Sequence, residues 1–530
     1  MSPHESTTPA GNASGPVSFT SALQRYQPYL DEAQYAKLIA ESERIAPSAV
    51  RLNLLKLTSP LPLPTGEGEK TTSPRPQPPE EGETESAKNT TQQRLDYLSR
   101  KYGWVTKALP YSAESLQILD YDTYPSQTRE FLLGQYYLQD AASILPISLF
   151  STSDRPLLKL DMAASPGGKT TQMIDTSRDR DFVIANDAAA SRLPALRTVL
   201  QTWGAANYTI TNFAGERWGD WFPETFDQIL LDAPCSMQSL RASASHPHRP
   251  ITEDERSRLA SRQQALLFSA AKALKIGGEL VYSTCTLAPE EDESVVSALL
   301  ETYPGAFRID PAPAQQFCVS GLSEFEGERF HPEVIHSLRI WPFVFQTNGF
   351  FAVKLIKDTS IRGEQSPPPS RDFASTGYRA LSPGLLQELN GTFQQIYGFD
   401  LDGMLQKLNL VPMRKVDAIQ LLPASYLTQF ATLPYNAIGV PLGRFIRDQF
   451  EVSVDFVLRF GTEFSRNVWQ MPDNLVEQWM KGFDIRGIDP VGIEPGTVIA
   501  IRDVEGNNLG AAKYSSKRLR NLLPNRHIKI

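Results

Sequence analysis

Two cysteines, Cys235 and Cys285, each follow an apolar run of the kind that forms a buried strand. Cys235 lies in Asp232-Ala233-Pro234-Cys235-Ser236, and Cys285 lies in Ser283-Thr284-Cys285-Thr286. A cysteine behind a strand is more often a small buried hydrophobic residue than a reactive group. Two in matching positions can share one pocket, because parallel strands deliver their carboxyl ends to the same edge of a sheet. The sequence therefore predicts a pair of thiols at one site.

A thiol pair beside a carboxylate such as Asp232 suits addition chemistry on a pyrimidine ring. Carbon 5 of cytosine is a poor nucleophile, but a thiolate added at carbon 6 turns the ring into an enamine that accepts a methyl group at carbon 5. The adduct must then lose the carbon-5 proton and expel the thiolate, so a second group must assist its release. An acid at ring nitrogen N3 would stabilise the adduct, and the pocket must favour the thiolate, since a free cysteine has a pKa of about 8.5.

A glycine turn between a strand and a helix predicts the place of a nucleotide-like cofactor. The apolar run that ends at Asp161 is followed by Ala163-Ala164-Ser165-Pro166-Gly167-Gly168-Lys169. Glycines allow a ligand to lie against the backbone, and the amides that open the next helix favour an anion or a polar group. A second strand, Phe182 to Asn186, ends at Asp187, at the distance beyond the glycines expected of an acid that binds a ribose.

Two other interpretations of this turn stay open at this point. A Gly-Gly turn between a strand and a helix is common without any ligand. Gly168-Lys169-Thr170 also ends like a phosphate loop, but the first glycine of that pattern would fall at Ala163. The mismatch disfavours a phosphate loop.

Strands and helices alternate around these residues. Further strands are predicted at Tyr208 to Phe213, Phe226 to Leu231 and Glu279 to Ser283, a long helix at Ile251 to Lys275, and an antiparallel hairpin at Arg339 to Phe345 and Gly349 to Ile356. This spacing is typical of an α/β fold with a doubly wound parallel sheet. All the candidate residues would then lie along one edge of that sheet.

The length of 530 residues predicts about three domains. We expect disordered residues at 1–20, an N-terminal α+β domain at 21–145 with a disordered insertion at 59–93, the doubly wound domain at 146–357, a linker at 358–380, and a C-terminal region of mixed character at 381–530. The sequence Glu505-Gly506-Asn507 predicts a turn in a small β-rich module at the end of that region.

Composition excludes several classes of protein. Hydrophobic content of 41% and charged content of 21% indicate a soluble globular protein, and neither a membrane-spanning run nor a secretory signal is present, so we expect a cytoplasmic protein without membrane contact. Three cysteines, Cys235, Cys285 and Cys318, argue against disulfides and structural zinc, and we expect no metal. The net charge of −8 disfavours general polyanion binding, so any nucleic-acid contact requires a local basic face. Residues 511–530 carry such charges without an acid: Lys513, Lys517, Arg518, Arg520, Arg526 and Lys529.

With these motifs, the chain closely resembles the Sun (Fmu) family of S-adenosylmethionine-dependent RNA cytosine-5 methyltransferases, nearest the bacterial 16S ribosomal RNA methyltransferase F branch. The segments Arg51 to Lys56, Gly134 to Ser143 and Gly349-Phe350-Phe351 add to the resemblance. It implies a Rossmann-like class I methyltransferase domain, an N-terminal RNA-binding domain, and a PUA-like RNA-binding module at Gly496 to Ile530. It also implies S-adenosyl-L-methionine as cofactor and ribosomal RNA as substrate, within a ribosomal subunit or free, and we expect a monomer.

The resemblance also assigns roles. Cys285 is the nucleophile, Cys235 helps to break down the adduct, and Asp232 faces both the cytosine ring and the methyl donor. Asp187 binds the cofactor ribose. The remaining cofactor-binding positions are Ala163, Ala164, Ser165, Pro166, Gly167, Gly168, Lys169 and Arg192.

The chain departs from the family pattern at three places. Ala163 replaces the usual cysteine of the cofactor motif, Ala214 stands where relatives carry an aspartate facing adenine, and Met237-Gln238-Ser239 replaces Gly-x-Gly. Two alternatives therefore stay open, a transfer RNA substrate and a non-catalytic RNA-binding or ribosome-assembly protein on the same fold.

Overall fold

The computed structural model describes residues 23–57, 83–239, 251–311, 319–361, 363, 365–447 and 449–528, with only the backbone described at 83–89. The predicted disordered residues 1–20, the insertion up to residue 82, and Cys318 lie outside this set. The helix Glu83–Tyr102 begins inside the stretch 59–93, so the predicted C-terminal limit of the insertion is wrong. Among the described helices, none is both long and apolar enough to cross a membrane.

An antiparallel sheet of four strands forms the N-terminal part. In chain order the strands are β1 (Ser48–Leu52), β2 (Val105–Leu109), β3 (Ser112–Asp120) and β4 (Tyr136–Asp140). Their order across the sheet is β2-β3-β1-β4. Val50 and Leu52 of β1 pack with Leu95 and Leu98 of the helix Glu83–Tyr102, so that helix belongs to this core. A further helix, Glu32–Ser42, precedes β1.

A mixed sheet of ten strands forms the centre of the molecule. Its strands are β5 (Leu158–Asp161), β6 (Phe182–Asn186), β7 (Tyr208–Thr211), β8 (Phe226–Asp232), β9 (Leu274–Thr284), β10 (Phe307–Ile309), β11 (Val319–Ser320), β14 (Leu338–Ile340), β15 (Phe350–Lys357) and β19 (Ala437–Ile438). The order is β11-β14-β15-β9-β8-β5-β6-β7-β19, and β10 pairs with β15. A separate hairpin joins β12 (Glu324–Phe325) to β13 (Glu328–Arg329).

Five central strands, β5 to β9, run parallel, and the strands on either side of them are antiparallel. The sheet is therefore mixed, whereas the alternation of strands and helices predicted a parallel one with an antiparallel hairpin at one edge. That hairpin is present as β14 and β15, although Pro342–Phe345 between them is a short helix and not strand. The second antiparallel edge, β19, was not predicted.

Successive residues of the central strands point into two different cores. Ile229 and Leu231 of β8 pack on the side of the helix Glu253–Ala273, whereas Leu230 packs on the side of the helix Leu193–Trp203. The alternation follows from the period of two in a strand. A sheet covered on both faces has apolar residues at consecutive positions, which is why these strands could be recognised in the sequence. The other helices of this part are Leu145–Ser148, Gly168–Asp175, Trp218–Trp221 and Glu293–Thr302.

Two five-stranded sheets follow in the C-terminal region. The first contains β16 (Arg379–Ala380), β17 (Leu410–Lys415), β18 (Ala418–Pro423), β20 (Val440–Ile446) and β21 (Gln449–Val452), and the second β22 (Val468–Gln470), β23 (Ile485–Arg486), β24 (Val498–Arg502), β25 (Asn508–Ser515) and β26 (Arg518–Asn521). Their helices are Pro383–Tyr397, Leu401–Leu408, Ala424–Gln429, Val454–Phe460 and Asp473–Met480. The first sheet was not predicted, and the second begins well before Gly496, the predicted start of the terminal module.

The C-terminal region packs against both earlier parts. Its strand β19 pairs with β7 of the central sheet. Towards the N-terminal sheet, Arg129 Nη2 lies 3.1 Å from Asp503 Oδ2, and Arg94 Nη2 donates a hydrogen bond to Asn507 Oδ1 at 3.0 Å. The turn Glu505-Gly506-Asn507, which joins β24 to β25, is thus held against the N-terminal part of the protein.

Candidate active site

The cofactor turn lies between β5 and the helix Gly168–Asp175. Gly167 has a φ of 114°, a left-handed value that favours glycine. A Cβ on Gly167 would lie 3.0 Å from Val199 Cγ1, and one on Gly168 would lie 2.7 Å from Tyr137 Cε1. At these positions the glycines make room for protein side chains, whereas the sequence pattern predicted that they make room for a ligand.

A buried arginine from the N-terminal sheet holds the helix that follows this turn. Arg51 is fully buried, and its Nη1 lies 2.7 Å from Asp175 Oδ2. Its Nη2 donates to the carbonyl oxygen of Gly168 at 3.0 Å and to Thr171 Oγ1 at 2.7 Å, and the guanidinium lies 4.8 Å from the centre of the Trp203 ring. Burial raises the pKa of Asp175 to about 7, against the opposing effect of Arg51. The N-terminal sheet and the cofactor turn are therefore joined by an ion pair with little access to water.

Asp187 lies directly after β6 and is 3% exposed. Its Oδ2 accepts a hydrogen bond from Ser165 N at 3.2 Å and lies 3.3 Å from Arg192 Nη1, and its Oδ1 accepts from Ala189 N at 2.9 Å. Ser165 Oγ in turn donates to the carbonyl oxygen of Arg192 at 2.9 Å. The structure thus brings together three of the predicted cofactor-binding residues, Ser165, Asp187 and Arg192.

The other residues of the turn differ in their access to solvent. Ala163 is half-buried and Pro166 is exposed, whereas Ala164 is buried and donates its N–H to the carbonyl oxygen of Asn186 at 2.8 Å. The peptide bond between Ser165 and Pro166 is cis. The open side of the turn is therefore formed by Ala163 and Pro166.

Lys169 and Asp232 face each other at the ends of neighbouring elements. Lys169 Nζ lies 2.8 Å from Asp232 Oδ2, and Ser283 Oγ donates to Asp232 Oδ1 at 2.8 Å. Burial opposes the charge on Lys169, but the adjacent Asp232 outweighs it, so the pKa of Lys169 is raised. The ammonium group also lies 5.3 Å from the centre of the Phe350 ring. Asp232 is consequently a fixed carboxylate beside a fixed cation.

Asp161 is a second carboxylate at this edge that the sequence analysis did not include in the site. It ends β5, is 1% exposed, and accepts a hydrogen bond from Thr170 Oγ1 at 2.7 Å. Burial, together with the nearby charge of Asp232, raises its pKa to about 7. Its position at the end of a strand that leads into the glycine turn was the signal in the sequence.

The two cysteines lie next to each other. β8 and β9 are parallel neighbours with Asp232 opposite Ser283, and the chains leaving them place Cys235 Sγ 3.0 Å from Cys285 Sγ. Both thiols are free and half-buried. The hydrogen bond with Cys285 and burial raise the pKa of Cys235 well above its usual value. One of the two thiols therefore retains its proton and can donate it to the other sulfur.

Buried acids behind the thiols hold both cysteine loops in place, and no sequence motif indicated them. Ser236 N donates to Glu291 Oε2 at 2.9 Å, and Thr284 Oγ1 donates to Asp292 Oδ1 at 2.6 Å. Burial raises the pKa of both acids. Nη2 of Arg339, which is also fully buried, lies 3.7 Å from Asp292 Oδ2 and supplies a positive charge behind the two acids.

The departures from the family pattern lie beside this site. Met237, two residues after Cys235, has a φ of 57° and is 51% exposed, so a methionine occupies a left-handed position that favours glycine. Ala214 precedes the turn Gly215–Arg217, and the preceding Asn212 donates through Nδ2 to the carbonyl oxygen of Asp187 at 2.6 Å. An amide group, not a carboxylate, thus supports the loop at the end of β7.

The fold and this arrangement define a methyltransferase. A crystal structure of a methyltransferase homolog protein from Pyrococcus horikoshii superposes with a TM-score of 0.51 at 27% identity, over 64% of this chain and 95% of that one. Residues 152–356 match the profile of the family described as 16S rRNA methyltransferase RsmB/F.

Full-length relatives extend the match. The ribosomal RNA small subunit methyltransferase F of Erwinia tasmaniensis is 30% identical over 431 residues, which cover 81% of this chain and 86% of that protein. Its counterpart in Aeromonas salmonicida is 31% identical over 435 residues, 80% of this chain and 85% of that protein. The chain belongs to the 16S rRNA methyltransferase RsmB/F family and is a methyltransferase enzyme.

Proposed function

We propose that this enzyme transfers a methyl group from S-adenosyl-L-methionine to carbon 5 of a cytosine in 16S ribosomal RNA, through a covalent adduct with Cys285. The observation that carries the proposal is the distance of 3.0 Å between Cys235 Sγ and Cys285 Sγ, beside the oriented carboxylate of Asp232. The names of the relatives support small-subunit ribosomal RNA as the substrate.

The residues at the sheet edge fit the cofactor. Asp187 has an oxygen with remaining acceptor capacity for a ribose hydroxyl, and Ala163 and Pro166 leave the turn accessible. Asp232 offers a carboxylate to the positively charged part of the ligand. When bound, S-adenosyl-L-methionine supplies an electrophilic methyl group.

The two thiols divide the work on the cytosine ring. The Cys285 thiolate adds to carbon 6, which makes carbon 5 nucleophilic. Once carbon 5 carries the methyl group, a solvent base takes its proton, the electrons of that C–H bond form the double bond between carbons 5 and 6, and the bond between carbon 6 and sulfur breaks with its electron pair on sulfur. Cys235, whose raised pKa keeps it protonated, donates a hydrogen bond to the departing sulfur.

Asp232 orients the ring. Its two oxygens are fixed by Lys169 and Ser283, so the carboxylate cannot rotate freely when the base enters. A group held in this way acts on the ring without first reorganising. The positive charge of Lys169 keeps a negative charge at this point favourable.

RNA contact by the C-terminal module is a proposal that the structure modifies. Three of the six predicted cations pair with acids, because Lys513 contacts Glu451, Arg518 contacts Asp484 and Arg526 contacts Asp455. Lys529 lies outside the described residues. We propose that the PUA-like module contacts phosphates through the exposed side chains of Lys517 and Arg520. We also propose that residues 21–145 contribute a second RNA-binding domain, with 146–357 as the methyltransferase domain.

Single cysteine variants test the mechanism. Cys285→Ala should bind cofactor as the wild type does but transfer no labelled methyl group to 16S ribosomal RNA. Cys235→Ala should attack and methylate without release, and should give a retarded protein–RNA band on a denaturing gel. The double variant should give no band.

The same experiment separates the alternatives. A retarded band that requires Cys235 would reverse the two roles. Transfer to transfer RNA but not to ribosomal RNA would change the substrate. No transfer to either RNA by the wild type would support a non-catalytic RNA-binding protein.

A further inference from the structure

A cavity of about 260 Å³ lies between the methyltransferase sheet and the first C-terminal sheet. One wall is formed by Arg197 and Gln201 of the helix Leu193–Trp203 and by Tyr208 of β7, and the opposite wall includes Tyr378 and Tyr435. None of the residues assigned above to the thiols or to the cofactor lines it. The cavity is therefore a separate site on the flank of the catalytic sheet.

Hydrogen-bond donors line the methyltransferase wall of this cavity. Arg197 Nη2 donates to the carbonyl oxygen of Asn436 at 2.9 Å, and its half-buried guanidinium carries a positive charge on this wall. The one acid in the lining, Asp455, is paired with Arg526. A ligand that offers acceptors and a negative charge suits these walls.

Two cations contact the aromatic rings of the opposite wall, although they do not line the cavity themselves. The Arg371 guanidinium lies 4.6 Å from the centre of the Tyr435 ring, and Lys415 Nζ lies 5.4 Å from the centre of the Tyr378 ring. Aromatic side chains interleaved with cations are the pattern that proteins use for unpaired nucleotides, since bases stack on rings and phosphates pair with cations.

The strand pairing next to Tyr378 adds further positive charge. Arg379 of β16 lies directly opposite Arg414 of β17, and both side chains are exposed, as is Lys415. Like charges directly opposite in an antiparallel pair are unfavourable. A polyanion bound along this edge would remove the repulsion, and the edge lies next to the cavity because Tyr378, which lines the cavity, directly precedes Arg379.

We propose that the cavity holds one unpaired nucleotide of the substrate RNA, with its base against Tyr435 and Tyr378 and its phosphates near Arg197 and Lys415. The inference rests on the proposed function, which supplies RNA as the partner. The site anchors RNA at a point away from the target cytosine.

Two variants test the site. Tyr435→Ala removes a stacking surface and should weaken binding of 16S ribosomal RNA by roughly five- to a hundredfold. Arg197→Met removes one phosphate partner and should lower the slope of log affinity against log salt by about 0.7. Both should leave the affinity for S-adenosyl-L-methionine and the rate at saturating RNA unchanged, because neither residue touches the cofactor turn or the thiols.

Arg180→Met is the matched control for charge. Arg180 is also half-buried and also donates to backbone carbonyl oxygens, of Ser177 at 3.1 Å and of Asp154 at 3.4 Å, but it does not line the cavity. It should bind RNA with the wild-type salt slope. Since Tyr435→Ala could also disturb folding, crosslinking of 4-thiouridine-containing 16S ribosomal RNA to the wild type supplies a second measurement, with crosslinked peptides expected at Tyr378 or Tyr435.

The outcomes separate this inference from the proposed function. Wild-type methyl transfer together with unchanged RNA binding in both variants, or crosslinks that avoid both tyrosines, would overturn the inference alone. Cytidine monophosphate that binds in the cavity without competing with RNA would also overturn it, because the site would then serve a free nucleotide. Absence of methyl transfer by the wild type would instead refute the proposed function.

Discussion

Replacement of Asp187 by asparagine tests whether this carboxylate holds the cofactor. Oδ2 accepts a hydrogen bond from Ser165 N and lies close to Arg192, whereas Oδ1 accepts from Ala189 N alone among the described residues. A carboxylate oxygen has two lone pairs, so Oδ1 can accept one further bond, from a ribose hydroxyl.

The expected loss of cofactor affinity follows from the one hydrogen bond between the ribose hydroxyl and Asp187 Oδ1. A hydrogen bond to a charged group contributes about 1.5 to 3 kcal/mol, which corresponds to roughly ten- to a hundredfold in affinity. Asparagine keeps one acceptor oxygen, but its NH₂ group faces one of the two backbone donors, Ser165 N or Ala189 N. Because two donors then face each other, the cofactor turn also becomes less stable. We expect the Kd for S-adenosyl-L-methionine to rise roughly ten- to a hundredfold in Asp187→Asn, and at least as far in Asp187→Ala.

Calorimetric titration measures the change, and Asp181→Asn is its matched control. Asp181 is also buried and lies at the opposite end of the same strand, where it accepts from Leu157 N at 2.9 Å and lies 2.7 Å from Lys159 Nζ. Its replacement should lower the stability of the protein in urea without changing cofactor affinity. Wild-type affinity in Asp187→Asn, or an equal loss in Asp181→Asn, would refute the reasoning.

Three further predictions concern stability and RNA binding. Arg51→Met leaves Asp175 buried without its cation, so the free energy of unfolding in urea should fall by about 3 to 5 kcal/mol. Because burial raises the pKa of Asp161 from 3.8 to about 7, the folded state favours the protonated acid and stability is lost as the pH rises between those values. Asp161→Asn should abolish that loss, so the free energy of unfolding of the variant in urea should rise relative to the wild type between about pH 4 and pH 7. Lys517→Ala/Arg520→Ala should reduce the salt slope of RNA binding in filter assays by about 1.4 to 1.8.

Each of these has a contrary result. A loss below 1 kcal/mol in Arg51→Met would mean that Asp175 reaches another cation or water. A stability difference between Asp161→Asn and the wild type that stays constant with pH would contradict the effect of burial on that acid. An unchanged salt slope in the double variant would place the RNA away from the last strands of the chain.

The central strands and the position of the thiols could be predicted because the signal is local. A strand buried on both faces gives a short continuous apolar run, and the residue that follows it must lie at the carboxyl edge. Asp187, Asp232, Cys235 and Cys285 all satisfy this rule. Their contacts with one another depend on β8 and β9 being neighbours in the sheet, which the structure shows and the sequence pattern left open.

The first C-terminal sheet escaped prediction because its strands contain prolines. Pro412 lies within β17, Pro441 lies within β20, and Pro423 ends β18. A proline cannot donate to a strand ladder, so its presence argues against a strand in the sequence. Tertiary packing overrides that preference here.

Contacts between distant segments set the other limit on prediction. The role of Gly168 depends on Tyr137, and the state of Lys513 depends on Glu451, and no local pattern links either pair. A run of basic residues therefore predicts charge but not whether that charge is available. The number of cations free for RNA could be counted only from the fold.

The pairing of β19 with β7 has a consequence for anyone who divides this chain into fragments. Two residues from the C-terminal region, Ala437 and Ile438, cover the outer edge of the catalytic sheet. A fragment that stops after β15 would expose the backbone of Tyr208–Thr211 as an open edge, and open edges invite aggregation with other molecules. Loss of RNA binding in such a fragment would therefore reflect aggregation of the protein and not the absence of an RNA contact. RNA contacts in this enzyme are therefore better tested with point variants than with fragments that lack β19.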